Sequence, residues 1–307
     1  MNALRSRTRT RVIGLAAALG LLTGGIAVGA MITAATVTGG GRAAAPATRA
    51  AALGQPRLSG QARVALLRYL RESRPVATLV RPGGLNIKAG SNAATALQSY
   101  NWSGYADHGA AGSFTAVSAI WRQPATFCGR EQRLTATWVG LDGFDNQTVE
   151  QDGTLAYCFE GAAYYFTWWE MFPGGSVTVG SSVRPGDLIS ASVSRSGTSY
   201  TLAVKDASTP ANSFSTVQTC TSCQNDSAEW IAERPAFPIG VTPLSTFTPW
   251  NLVRGSQTSG GSTGSIGSGP GVTQITMIDA TASYPLVKVS GLSRSGARFR
   301  TLWLNSY

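Results

Sequence analysis

Between residues 189 and 205 the chain alternates apolar and polar side chains with a period of two. ISASVS (189–194) sets Ile189, Ala191 and Val193 against serines, and SYTLAVK (199–205) sets Tyr200, Leu202 and Val204 against polar partners. Successive side chains of a strand point to opposite faces, so this pattern describes a sheet with one buried face rather than a helix. SGTS between the two segments supplies a hairpin turn, and RPGD (184–187) a turn ahead of the first. The same reading places strands at Phe114–Trp121, Leu134–Leu141, Tyr164–Phe172, Ala228–Glu233, Thr273–Ile278 and Arg298–Leu304, with no helical periodicity from Ser99 onward. Many short strands separated by turns make an all-β, antiparallel sandwich or barrel. The stretch GSQTSGGSTGSIGSGPG (255–271) reads as a mobile surface loop inside that domain.

The formal charge of +10 over 307 residues would point to nucleic acid or a membrane surface if it were spread evenly. It is not. Residues 1–98 hold thirteen Lys and Arg against the single acid Glu72, while residues 99–307 hold twelve against fourteen Asp and Glu. The β-rich body is therefore close to neutral and has no basic stripe for phosphates, which excludes nucleic-acid binding. Arg5, Arg7, Arg9 and Arg11 precede an uncharged run, Val12–Val37, followed by small residues around Ala43-Ala44-Ala45. That is the layout of an export signal over residues 1–45, with an uncleaved membrane anchor as the alternative; both put the body outside the cytoplasm. Residues 46–98 form a second, Ala- and Arg-rich unit. Within it, GQARVALLRYLRESRPVATLVRP spaces Val64, Leu67, Tyr69 and Leu70 as one face of a basic amphipathic helix. A linker and a propeptide are both open readings, and the charge favours a propeptide that covers an acidic site. Residues 99–307 are then the β-sandwich domain.

Export makes the four cysteines readable as disulfides. Of the three possible pairings we favour Cys128–Cys158 with Cys220–Cys223; the latter, in CTSC, also has the spacing of a redox pair, but no βαβ pattern surrounds it. His108 is the single histidine, and YADHGAAG around it reads as a surface turn. A catalytic triad and a zinc site are both poorly supplied, so no metal and no cofactor is expected. Chemistry has to run on carboxylates, amides, hydroxyls and aromatics.

The segment TATWVGLDGFDNQTVEQDGTLAYCFEGAAYYFTWWEMFP (135–173) is the richest in such groups. Alternation over 164–172 places Tyr164, Phe166, Trp168, Glu170 and Phe172 on one face, and a carboxylate among aromatics loses hydration and gains pKa. Upstream, Gln151 lies on the side of Val149, opposite to Glu150 and Asp152. A carboxamide aimed into an apolar groove is a neutral donor suited to an oxyanion. A second run, SAEWIAERP (227–235), alternates Glu229, Ile231 and Glu233 with Ala228, Trp230 and Ala232.

NWSGY (101–105), TWVGLDG (137–143), EQDG (150–153), WWEMFP (168–173) and AEWIAE (228–233), in this order, resemble the glutamic peptidases, or eqolisins. The resemblance runs from about residue 99 to the C-terminus and takes in VTQITM (272–277) as a late strand. It implies a concanavalin-like jelly roll of two antiparallel sheets, and a secreted, acid-acting endopeptidase with protein and peptide substrates. It further implies Gln151 and Glu233 as the catalytic pair, with Trp138, Asp142, Trp168 and Glu170 beside them. Glu229 is read as a supporting or a merely structural acid. Phe172 stands where fungal members carry tyrosine, and Arg234-Pro235 replaces an acidic-aromatic pair, so subsites and pH optimum are expected to differ. The implied chemistry has Glu233 take a proton from water and return it to the leaving amine while Gln151 holds that water and the oxyanion. A monomer is expected, without membrane association unless the N-terminal segment stays uncleaved. The alternative reading is a sugar-active or sugar-binding sandwich using Glu170 and Glu233 as paired acids with Trp168, Trp169 and Trp230 as stacking platforms.

Overall fold

The computed structural model describes residues 58–77, 79–80, 95–237, 240–281 and 284–306, all within one compact unit, Ala52–Tyr307. The export reading of residues 1–45 lies outside the described residues. Among the described residues, fifteen strands of four or more residues, β1 to β15, build two layers. The first layer runs β6 (Ala162–Phe172), β5 (Val149–Phe159), β4 (Arg133–Leu141), β10 (Ser227–Glu233), β2 (Trp102–His108), β13 (Thr273–Ile278) and β1 (Thr95–Ser99). The second runs β9 (Phe214–Thr219), β8 (Ser199–Asp206), β7 (Leu188–Ser196), β3 (Phe114–Arg122), β11 (Trp250–Ser259), β15 (Phe299–Trp303) and β14 (Pro285–Val289). All pairs are antiparallel except β13 with β1, and β13 also pairs with β14, which joins the layers at one edge.

Two apolar clusters show why the strands lie this way. Val139, Ala156, Ala228, Trp230 and Ala232 of the first layer meet Val117, Trp121, Ala191, Leu202 and Trp250 of the second. The opposite face of the first layer carries Trp102, Ala136, Trp138, Leu155, Phe166, Trp168 and Ile231 in a separate cluster. The alternation in β10 is thereby explained. Its alanines and Trp230 fill the space between layers, and Glu229, Ile231 and Glu233 take the other face. A sheet apolar on both faces needs a cover on its outer side.

The cover is helix α1 (Gly60–Glu72), which buries Ala62, Leu66 and Leu70 against the outer cluster. Ser59 caps its first turn, accepting from the Ala62 N–H at 3.2 Å, and Pro75 prevents its continuation. The buried stripe differs from the expected one, since Val64 is 69% and Leu67 38% exposed. Apolar residues occur on two sides of this helix, and the shape of the receiving sheet selects the i, i+4, i+8 side. The 255–271 stretch departs from its reading as a loop. Most of it is a hairpin, β11 paired with β12 (Ser262–Ser265) across Gly260-Gly261, followed by a short 3₁₀ turn, Ile266–Ser268. Ile266 packs into the inter-layer core, an anchor that the surrounding glycines and serines conceal. His108 is half-buried and stacks on Phe144 with ring centroids 4.9 Å apart. Cysteines 128 and 158 are bonded to each other, as are 220 and 223. Among the described residues no helix is long and apolar enough to cross a membrane.

Candidate active site

On the outer face of the first layer, Gln151 of β5, Glu170 of β6 and Glu233 of β10 line one cavity of about 20 Å³. By this measure a single water needs roughly 10–15 Å³. Gln151 Nε2 donates to Glu170 Oε2 at 2.7 Å, and Trp138 Nε1 donates to Glu233 Oε2 at 2.8 Å. Gln151 Oε1 and one oxygen of each carboxyl, Glu170 Oε1 and Glu233 Oε1, are buried with no hydrogen-bond partner within the protein. Three orphaned acceptors around a water-sized space make a site for one polar guest.

Trp138 reaches Glu233 because two glycines leave room for it. A Cβ on Gly140 would stand 2.8 Å from the indole, and one on Gly153 2.9 Å from the Trp138 Cβ. Gly140→Ala is therefore expected to turn the indole away from Glu233 and lower turnover about ten- to hundredfold while the fold persists. Peptide hydrolysis measured beside near-ultraviolet circular dichroism checks this, and unchanged turnover would remove the indole from the site's working parts.

Burial sets the charge state. Glu233 lies well above the usual glutamate range because it is buried; neighbouring Glu170 raises it further, and the Trp138 bond opposes the shift. Asn101 and Trp102 also oppose it, which puts both beside the carboxyl. Glu170 is pushed up to about 8 by burial, against bonds from Ser176 and Gln151. Burial thus holds both carboxyls neutral in acid while the cavity is closed.

Trp168 lines the same cavity. Asp142 and Glu229 belong elsewhere. Asp142 accepts the backbone N–H groups of Gln224, Asn225 and Asp226 at 2.9, 2.8 and 3.0 Å, fastening the 224–226 turn. Glu229 is fully buried near Asp142, Asp226 and Glu150, two strand repeats along β10 from Glu233. Glu150 Oε1 lies 2.8 Å from Cys223 Sγ, and burial followed by the charge of Asp142 pushes this glutamate up to about 10. Glu150, Cys220 and Cys223 form the one grouping among the described residues tight enough for a metal, and its two sulfurs are bonded to each other.

Sequence reasoning missed Asn101 and Trp102 beside the Glu233 carboxyl, and Ser176, Leu70, Ser73 and Pro75, which line the cavity. NWSGY held the first two, and nothing in local periodicity marks the others.

The family model described as the Peptidase A4 family matches residues 100–296. The chain belongs to that family. It is a glutamic peptidase, a hydrolase acting on peptide bonds. Solved structures agree on the fold: scytalido-glutamic peptidase with a transition-state analog inhibitor is 23% identical, with a TM-score of 0.56 over 67% of this chain and 98% of that one. SCP-B, a member of the eqolisin family in complex with the tripeptide Ala-Ile-His, is 24% identical at a TM-score of 0.53 over the same shares. No curated protein matches the chain. The peptidase thus has the eqolisin β-sandwich, and the family pattern covers all three side chains that meet at the cavity.

Proposed function

We propose that this peptidase cleaves proteins in acid with a water molecule held between Gln151 and Glu233. The observation that carries the reading is the water-sized cavity that these two side chains share with Glu170. Water and substrate entering the cavity relieve the burial that holds Glu233 protonated; the ionised carboxylate then removes a proton from the water as it attacks the scissile carbonyl, and passes that proton to the leaving amine. Gln151 uses one N–H on Glu170, so its second N–H and its Oε1 are available for the oxyanion and the water. Glu170, protonated, fixes the direction of the amide. Carboxyl chemistry of this kind suits acid conditions, where exported protein substrates are partly unfolded. The bound tripeptide in SCP-B supports a peptide as the ligand.

The charge step at residue 98 and two disulfides support export, with the cationic segment ahead of the body acting as a propeptide. The chain freed of that segment is expected to digest a denatured protein near pH 4. It should ignore inhibitors of aspartic, serine and cysteine peptidases and metal chelators alike. Inhibition by a chelator or a serine reagent would overturn the Gln151–Glu233 reading.

A further inference from the structure

Arg234 directly follows Glu233 and is 3% exposed, a depth at which an arginine has to be paired or well hydrogen-bonded. Among the described residues it belongs to no ion pair. Its guanidinium instead donates to two main-chain carbonyls, Nε to Tyr100 O at 2.6 Å and Nη2 to Ile278 O at 3.0 Å. The Arg234 N–H donates to Asn101 O at 3.0 Å. Burial lowers the guanidinium to about 10, opposed by the charges of Asp279 and Tyr284, so it stays ionised throughout acid.

Tyr100 O and Asn101 O belong to the two peptide planes on either side of the Asn101 Cα. Arg234 therefore holds both planes, and with them the direction of the Asn101 side chain. Ser99 Oγ donates to Asn101 Oδ1 at 2.8 Å, which fixes the sense of the amide. Asn101 Nδ2 gives one N–H to Val76 O at 2.9 Å and has a second for the Glu233 carboxyl beside it. A donor to a carboxylate favours its ionised form. The charged group that acts on Glu233 from the facing strand is Glu170 of β6, which works the other way. Filling space at the end of β10 needs no buried charge, since an apolar side chain of similar volume does that at lower cost. Gripping carbonyls of two separate segments at once needs a rigid fork of donors, which arginine has.

We infer that Arg234 is a positioning residue for the peptidase: it aims the Asn101 amide at Glu233 and so supports the ionised carboxylate during turnover. The inference rests on the reading of Glu233 as the base.

The test compares Arg234→Gln, Asn101→Ala and the double variant with the parent, all as full chains. Arg234→Lys, which keeps the charge and loses the fork, is the second variant should the neutral one not fold. Each protein is held at about pH 4, near the reference value of a glutamate, until its mass is constant. The ionisation of Glu233 is then followed by NMR of carbon-13-labelled glutamate carboxyls, its signal being the one missing from Glu233→Gln. Steady-state hydrolysis of an internally quenched peptide is measured on the same samples across the acid range. The Glu233 midpoint is expected to rise by about one pH unit in Arg234→Gln and in Asn101→Ala, and by about half a unit in Arg234→Lys. Below that midpoint kcat falls about tenfold in Arg234→Gln, in step with the ionised fraction, while KM stays within about twofold. The double variant shifts no further than either single one, because both remove the same donor. A parental midpoint in the folded Arg234 variants overturns the inference, and so does a double variant whose shift is the sum of the two. Turnover that falls with the midpoint unmoved also overturns it and assigns Arg234 to the fold alone. A midpoint that rises as expected in a protein that hydrolyses nothing upholds the positioning and sinks the peptidase mechanism instead.

Discussion

Glu233→Gln, in the chain freed of its N-terminal segment, is expected to hydrolyse peptide roughly a thousandfold more slowly while folding normally. The amide oxygen of a glutamine still accepts from Trp138 Nε1 and occupies the same volume, so packing is kept. What disappears is the proton acceptor, and positioned acid–base groups contribute about 10²–10⁴ in rate. Gln151→Ala removes the oxyanion donor, a loss of about 10²–10³, and leaves Glu170 Oε2 without its partner. Because the two groups act on one water, the double variant should be little worse than Glu233→Gln alone. Initial rates at acid pH, with melting temperatures measured on the same samples, check all three. More than about a tenth of parental turnover in Glu233→Gln would exclude it as the base.

Raising the pH is expected to destabilise the fold. Glu150, Asp152, Glu170, Glu229 and Glu233 are all shifted upward by burial, Glu170 to about 8 and Glu150 to about 10. A carboxyl whose folded value is raised keeps its proton in the native state, while the unfolded chain releases it above about pH 4.3. Its contribution is therefore complete in acid, below that value, and drains away as pH rises toward the folded value. Each such group changes stability by about 1.4 kcal/mol per pH unit within that window. Two of them over two pH units amount to about 5 kcal/mol, against a total of about 5–15 kcal/mol for a typical domain. Acid itself breaks little in return. The two ion pairs found among the described residues, Arg68–Glu72 and Arg133–Glu131, involve acids that are 53% and 62% exposed, where such pairs are weak. Melting temperatures are expected to fall by about 10–20 °C between pH 4 and pH 7. Glu150→Gln and Glu229→Gln should flatten that decline. A melting temperature that holds level or climbs over this range would show that these acids are not protonated in the fold.

Much of this architecture was legible because strand alternation is a local property. The readings Ala228–Glu233 and Thr273–Ile278 match the observed strands to within a residue, since each carries its own two-faced pattern. Ile266 and helix α1 were harder for the same reason in reverse. A single apolar residue among glycines, or an apolar residue on each side of a helix, does not say which neighbour will receive it. Asp142 shows the limit for polar groups. Its motif places it four residues beyond Trp138, yet the chain turns there and carries the carboxylate to the backbone of residues 224–226.

By itself the sequence determined the layered β architecture, the placement of Gln151, Glu170 and Glu233 on inward- or outward-facing positions of their strands, and the family. Those follow from side-chain period and residue order. Only the tertiary structure decided that three separate strands bring these groups around one water-sized space, and that Glu229 falls outside it. It alone showed Leu70, Ser73 and Pro75 closing that space. Registry between strands and the docking of a distant helix depend on contacts among residues far apart in the chain, and no local pattern encodes them.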